Sequence, residues 1–152
     1  MMERRDFLIG TLGLGALGLS GCAPAGPGVV TVVAQGTAGM NPGPDGGDRP
    51  LTLQIVQMRS AGAFDGADFF ALQNPQGALG GEFIKADQIA LTPGAAKTLT
   101  IGLDAGTTVI GVIAGFRDPA GKVFRAKAGV SATESVTFSV EVSRSGVKLR
   151  AA

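Results

Sequence analysis

Ser135-Val136-Thr137-Phe138-Ser139-Val140-Glu141-Val142-Ser143 decides the fold. Its apolar side chains alternate strictly with polar ones, so an extended chain puts Val136, Phe138, Val140 and Val142 on one face and leaves the other to water. β-Branched and aromatic residues on the apolar side favour a strand. Lys97-Thr98-Leu99-Thr100-Ile101-Gly102-Leu103 repeats the pattern. Between these two lies Thr108–Phe116, whose Val109, Ile110, Val112 and Ile113 leave neither face polar, and which reads as a central strand.

The rest of the chain fits around these strands. Val29–Ala34 is β-branched and reads as a first strand. Pro50 opens a second, Leu51–Arg59, which alternates at Leu51, Leu53 and Ile55 and then changes phase to Val56 and Met58. Either a bulge sits near Ile55, or something apolar covers the strand's other face. Phe64–Leu72 is the candidate cover, with Phe64, Ala67, Phe69, Phe70 and Leu72 apolar, and Asp65 and Asp68 suiting the first turn of a short helix. Asn74-Pro75 and Gly80-Gly81 mark turns, and Glu82–Lys85 reads as a further helical turn. Gln88–Leu91 and Val123–Ala128 are further strands, with turns at Thr92-Pro93-Gly94, Asp118-Pro119-Ala120-Gly121 and Arg144-Ser145-Gly146. Val147–Arg150 is an edge strand blunted by its basic residues. About eight short strands and one helical insertion after the second predict a mainly β, two-sheet antiparallel sandwich over residues 29–150.

One connection stands out. Gln35–Arg49 is rich in glycine and carries Pro42 and Pro44, a composition that argues against regular structure. Connections of that length in a compact domain are more often functional or mobile than incidental.

The N-terminus supplies an address. Arg4-Arg5 precedes an uncharged apolar run, Phe7–Leu19, too short for the roughly 20 residues of a spanning helix. A basic start and a short apolar core make a secretory signal. Leu19-Ser20-Gly21-Cys22 then resembles the bacterial lipobox, in which the cysteine is lipidated and becomes the first mature residue. The expectation is a signal peptide over 1–21, lipid on Cys22, a flexible Ala/Pro/Gly tether over 22–28 and one domain beyond. Arg4-Arg5-Asp6-Phe7-Leu8 also resembles the twin-arginine export motif, which general export signals share in part. Ala23, where an aspartate would retain a lipoprotein at the inner membrane of Gram-negative bacteria, favours the periplasmic face of the outer membrane by the same resemblance. One acyl chain holds a protein marginally and two or more hold it stably; bacterial lipoproteins carry three.

Composition excludes much chemistry. The chain has no His, Trp or Tyr, and its one Cys is the lipidation candidate. Ser-His-Asp and Cys-His catalysis and ordinary zinc sites are therefore out of reach, and no disulfide can form. The carboxylates fall mostly in turns beside Gly or Pro, where Asp serves the backbone. A net charge of +1 gives no case for nucleic-acid binding. Gly36-Thr37-Ala38-Gly39 lacks the lysine of a phosphate loop, and Asp45-Gly46-Gly47-Asp48 lacks EF-hand ligand spacing. No enzyme, cofactor, metal or small-molecule substrate is expected.

Taken in order, several segments resemble the small lipoprotein of the type VI secretion system, the TssJ (SciN/VasD) family. They are the Asn41-Pro42 loop closed by Arg49-Pro50, Gln57-Met58-Arg59-Ser60, Asp68-Phe69-Phe70-Ala71-Leu72, Leu91-Thr92-Pro93-Gly94 and Ile110–Asp118. The chain departs from the family at Phe116, where Tyr is frequent, and at Phe124-Arg125, where Trp-Arg is frequent; aromatic packing should survive both changes. The resemblance implies a transthyretin-like sandwich that anchors a trans-envelope complex by binding the periplasmic part of an IcmF-like inner-membrane subunit, TssM. It places the partner contact on the loop between the first two strands. Carried over, that is Gly36–Arg49, with Met40 as an apolar anchor and Asn41, Pro42, Asp45, Asp48 and Arg49 around it. A competing reading is an outer-membrane lipoprotein whose sandwich loops bind a small ligand or glycan, against which the lack of Trp and Tyr rings counts. A hydrolase on the same fold is disfavoured by the absence of His.

Overall fold

The computed structural model describes residues 26–152. Eight strands build two four-stranded sheets: β1 (Val29–Gly36), β2 (Leu51–Met58), β3 (Phe83–Leu91), β4 (Ala96–Gly102), β5 (Val109–Ala114), β6 (Arg125–Gly129), β7 (Val136–Ser143) and β8 (Gly146–Ala151). One sheet runs β4-β1-β7-β8 and the other β3-β2-β5-β6. Neighbours are antiparallel except β1 and β7, which run parallel from Val30↔Val136 to Gly36↔Val142. The sandwich is the expected one, and β8 lies at a sheet edge as its basic residues suggested.

The main core lies between the sheets. Val30, Val32 and Ala34 of β1, Phe138, Val140 and Val142 of β7, Leu51, Leu53 and Ile55 of β2, and Ile110, Val112 and Ala114 of β5 are its alternating inward positions. The phase change in β2 is resolved by a cover rather than a slip at Ile55. Val56 and Met58 face outward, where Ile113 joins them beneath Phe64, Leu72 and Leu79 of the insertion. The one irregularity in pairing with β3 falls between Gln57 and Met58. Gln57 keeps the inward phase despite its polarity. Its amide donates to the Gly102 carbonyl at 3.0 Å and accepts from the Asp104 N–H at 2.8 Å and the Thr107 hydroxyl at 2.9 Å. A buried polar group so satisfied escapes the desolvation penalty of an unpaired one.

The insertion is three short helices rather than one: α1 (Gly62–Gly66), α2 (Phe69–Leu72) and α3 (Pro75–Leu79). Asp68 is the N-cap of α2, its carboxylate accepting from the Ala71 N–H at 2.7 Å, and Asp65 pairs with Lys127. Asn74-Pro75 starts α3, with Asn74 as cap and Pro75 at the first turn. The helical turn expected at Glu82–Lys85 is instead a 3-10 turn, Gly80–Glu82, running directly into β3; β2 offers Phe83 and its successors a full strand partner, which outweighs local preference. Phe64 sits so close over β5 that a Cβ on Gly111 would lie 2.8 Å from its ring. The Arg125 guanidinium donates to the Phe64 and Ala67 carbonyls and stacks beside Phe124, while Phe124 meets Phe69 edge-on. Phe124 is thus packed between Phe69 and Arg125, and Phe116 is buried.

Strand polarity sorts the connections into two poles. The β1–β2, β3–β4, β5–β6 and β7–β8 loops share one pole, while the start of β1 and the β4–β5 and β6–β7 loops share the other. Gly28 is already part of the fold, its N–H bonded to the Ala132 carbonyl and its carbonyl to the Leu103 N–H. The eight residues of β1 set the poles roughly 25 Å apart.

Candidate functional site

The loop between β1 and β2 holds no helix or strand, as its composition argued, but an isolated bridge closes it into a small stapled hairpin. Pro42 and Asp48 face one another across an antiparallel bridge, the Gly43 N–H donates to the Gly47 carbonyl at 2.7 Å, and the Arg49 N–H to the Asn41 carbonyl at 2.9 Å. Three of the residues expected to meet a partner build this form: Met40 and Asn41 are buried, and Asp48, though exposed, spends its carboxylate on the loop's own N–H groups. Met40 is 0% exposed and belongs to the main core. It lies over Gly36, where a Cβ would stand 2.6 Å from its sulfur. It is therefore a core residue, not the exposed anchor its flexible thioether suggested.

Asn41 is 4% exposed, and its carboxamide is fully engaged within the chain. Nδ2 donates to the Pro50 carbonyl at 3.0 Å and Oδ1 accepts from the Arg117 N–H at 2.9 Å, tying the loop to the β5–β6 connection. The Asp48 carboxylate accepts from the N–H groups of Gly39 at 2.5 Å and Asn41 at 3.0 Å. The Asn41 N–H does most to hold its pKa below the ordinary carboxylate range.

The exposed part of the loop runs from Pro44 to Pro50. Within it Asp45 accepts from the Gly47 N–H at 3.0 Å and from Arg49 Nη2 at 3.3 Å, and its pKa is lowered, first by the Gly47 bond. Asp45 and Arg49 are exposed, whereas Pro42 is half-buried in the hairpin. Sequence reasoning passed over Pro44, Gly46, Gly47 and Pro50, which form most of the displayed backbone. It also missed a basic fringe from other loops. Arg117 is exposed beside Asn41, Lys122 donates to the Met40 carbonyl and sits 4.8 Å from the Phe116 ring centre, and Arg144 lies against Gly39. No local motif announces these residues; strand order alone assembles them. Cys22 lies outside the described residues.

The chain belongs to the type VI secretion lipoprotein family (VasD, EvfM, TssJ, VC_A0113), whose model matches residues 29–145. Among solved structures it is similar to the T6SS lipoprotein TssJ1 from Pseudomonas aeruginosa, at 26% identity and TM-score 0.76 over 84% of this chain and 98% of that one. It shares the fold of Serratia marcescens Lip, a membrane-bound component of the type VI secretion system, at 24% identity and TM-score 0.75, covering 82% and 97%. A third chain of this fold comes from a structure described as the T6SS protein TssM C-terminal domain (869–1107) from EAEC, at 23% identity and TM-score 0.65, covering 82% and 97%. No curated protein sequence matches the chain significantly.

Proposed function

We propose that this protein is a non-enzymatic anchor of the type VI secretion membrane complex, held to the outer membrane by lipid on Cys22 and binding the periplasmic part of the TssM-like inner-membrane subunit. Residues 1–21 serve as the cleaved signal and residues 22–28 as the tether, whose last residue, Gly28, is already bonded into the fold. Family membership supports the setting, and the occurrence of this fold in a structure described by the TssM C-terminal domain supports the partner.

The observation that carries the contact is the stapled loop. Docking a mobile loop costs ordering entropy, roughly 1–2 kcal/mol per residue fixed. Here Met40, Asn41 and Asp48 hold the loop in place before any partner arrives, so that Pro44–Pro50 is presented in one shape. The partner-facing residues are therefore Pro44, Asp45, Gly46, Gly47, Arg49 and Pro50, with Met40, Asn41, Pro42 and Asp48 acting as their support. Cys22→Ser should release the protein from membranes with its fold intact, read by fractionation and circular dichroism; retention in the outer membrane contradicts the lipid assignment. An Asp45→Ala, Arg49→Ala double variant should lose capture of the partner's periplasmic region in pull-downs while melting like the parent. Undiminished capture rules out the loop tip.

A further inference from the structure

The pole opposite the stapled loop carries an open cavity of about 400 Å³, lined by Pro27, Leu103, Ala105, Gly106, Ala132 and Thr133. None of these side chains is charged, and four are apolar carbon alone. The β4–β5 and β6–β7 loops that form it are anchored from below. The Leu103 N–H is bonded to Gly28 and the Thr107 hydroxyl to buried Gln57, while the Ala132 carbonyl receives the Gly28 N–H. The chain leaves this pole at Pro27, so the cavity wall adjoins the segment leading to Cys22. Five residues of extended chain reach at most about 18 Å.

We infer that this pole is a membrane-docking face: the Ala105-Gly106 and Ala132-Thr133 turns rest in the bilayer interface, with a bilayer acyl chain seated in the cavity. The inference rests on lipidation of Cys22. A face this small contributes too little by itself to recruit a soluble domain, since apolar burial is worth about 25 cal/mol per Å². A lipid tether of five residues changes the arithmetic. It keeps the face at an effective concentration in the mM range for short linkers, where a weak contact orients the whole domain. The lining itself offers no lysine or arginine; the exposed Arg59 side chain lies against Gly106, with its Nη1 bonded to the Gly81 and Phe83 carbonyls, and exposed Asp104 and Glu134 stand in the same two loops, so the face carries no excess of positive charge and the attraction is apolar. Its consequence is directional. The strands then stand away from the membrane and carry the Pro44–Pro50 tip roughly 25 Å out, toward a partner arriving from the other membrane.

The chain has no Trp or Tyr, so one introduced indole is the only strong emitter. The lipidated chain carrying Ala105→Trp, or Ala120→Trp at the loop pole, is reconstituted on phosphatidylcholine vesicles with brominated acyl chains. Both positions are exposed and lie in turns, and Thr133→Trp gives a second reporter should Ala105→Trp misfold. The docking-face reporters should lose roughly half their emission, as an indole within about 5–10 Å of the acyl boundary does, and Ala120→Trp should keep its own. Equal quenching at both poles, or stronger quenching at Ala120→Trp, overturns the inference. So does quenching that vanishes in high salt. Cys22→Ser with Ala105→Trp separates the two readings. That chain should neither float with vesicles nor be quenched, and its flotation would sink the lipid assignment. A lipid-held chain whose Ala105→Trp stays bright sinks the docking face alone.

Discussion

The two connections that flank β2 solve the same problem by opposite means. The insertion between β2 and β3 is held by apolar burial: Phe64, Leu72 and Leu79 seal Val56, Met58 and Ile113, and the polar caps only trim helix ends. The loop between β1 and β2 is held by a few polar staples and a single buried thioether, Met40. Burial is strong but uses up surface. Phe70 is the one large apolar side chain the insertion leaves outside, 78% exposed on α2. Staples use little surface, so nearly all of the loop tip from Pro44 onward stays free for contact. A connection built to cover and a connection built to display differ in which residues point inward.

Removing the heart of the insertion should cost most. Phe64→Ala opens a cavity over Met58 and strips the roof from β5, and urea unfolding should show a loss of about 3–5 kcal/mol. A loss below about 1 kcal/mol would mean that the outer core is dispensable. Met40→Ala attacks the loop at its one apolar support and should cost about 2–5 kcal/mol, because the side chain belongs to the main core. A variant of parental stability would restore the exposed-anchor reading. Asn41→Ala leaves the Pro50 carbonyl and the Arg117 N–H without their partner and should cost about 1–3 kcal/mol. Its loss of partner capture should exceed its loss of stability, since the tip loses its fixed shape.

The smallest expected effect is the most diagnostic. Asp45 and Asp48 have pKa values lowered in the fold, so their carboxylates support the loop above the ordinary carboxylate range. That support is lost as pH falls through their lowered folded values. Hydrogen exchange, corrected for intrinsic rates, should show the amides of Gly39, Asn41 and Gly47 losing protection in acid, and Asp48→Asn should do the same to Gly39 and Asn41 at neutral pH. Ala67 and Ala78, whose N–H groups bond to carbonyls within the insertion, provide the reference. Uniform loss across both connections would erase the distinction between them.

Local pattern carried much of the fold. Val136–Val142 and Leu99–Leu103 state their buried face in their own alternation, whereas the phase change at Val56 and Met58 allowed either a bulge or a second apolar layer, and the insertion supplies the layer. Gln57 could not be read as core, because its burial depends on a carbonyl, an amide and a hydroxyl supplied by distant residues. The site was legible by address but not by role. A glycine- and proline-rich stretch between two strands marks a loop, yet nothing in it says which side chains turn inward. Met40 was misread for that reason: a lone methionine has no periodicity, and its core position is set by the space over Gly36.

Sequence alone determined the exclusion of histidine-based catalysis and the two-layer β architecture, because those follow from residue type and local period. Tertiary structure decided the parallel pairing of β1 with β7, the polarity that sets the stapled loop opposite the start of β1, and the division of that loop into buried and exposed residues. Those depend on contacts between residues far apart in the chain, whose energies no local pattern encodes.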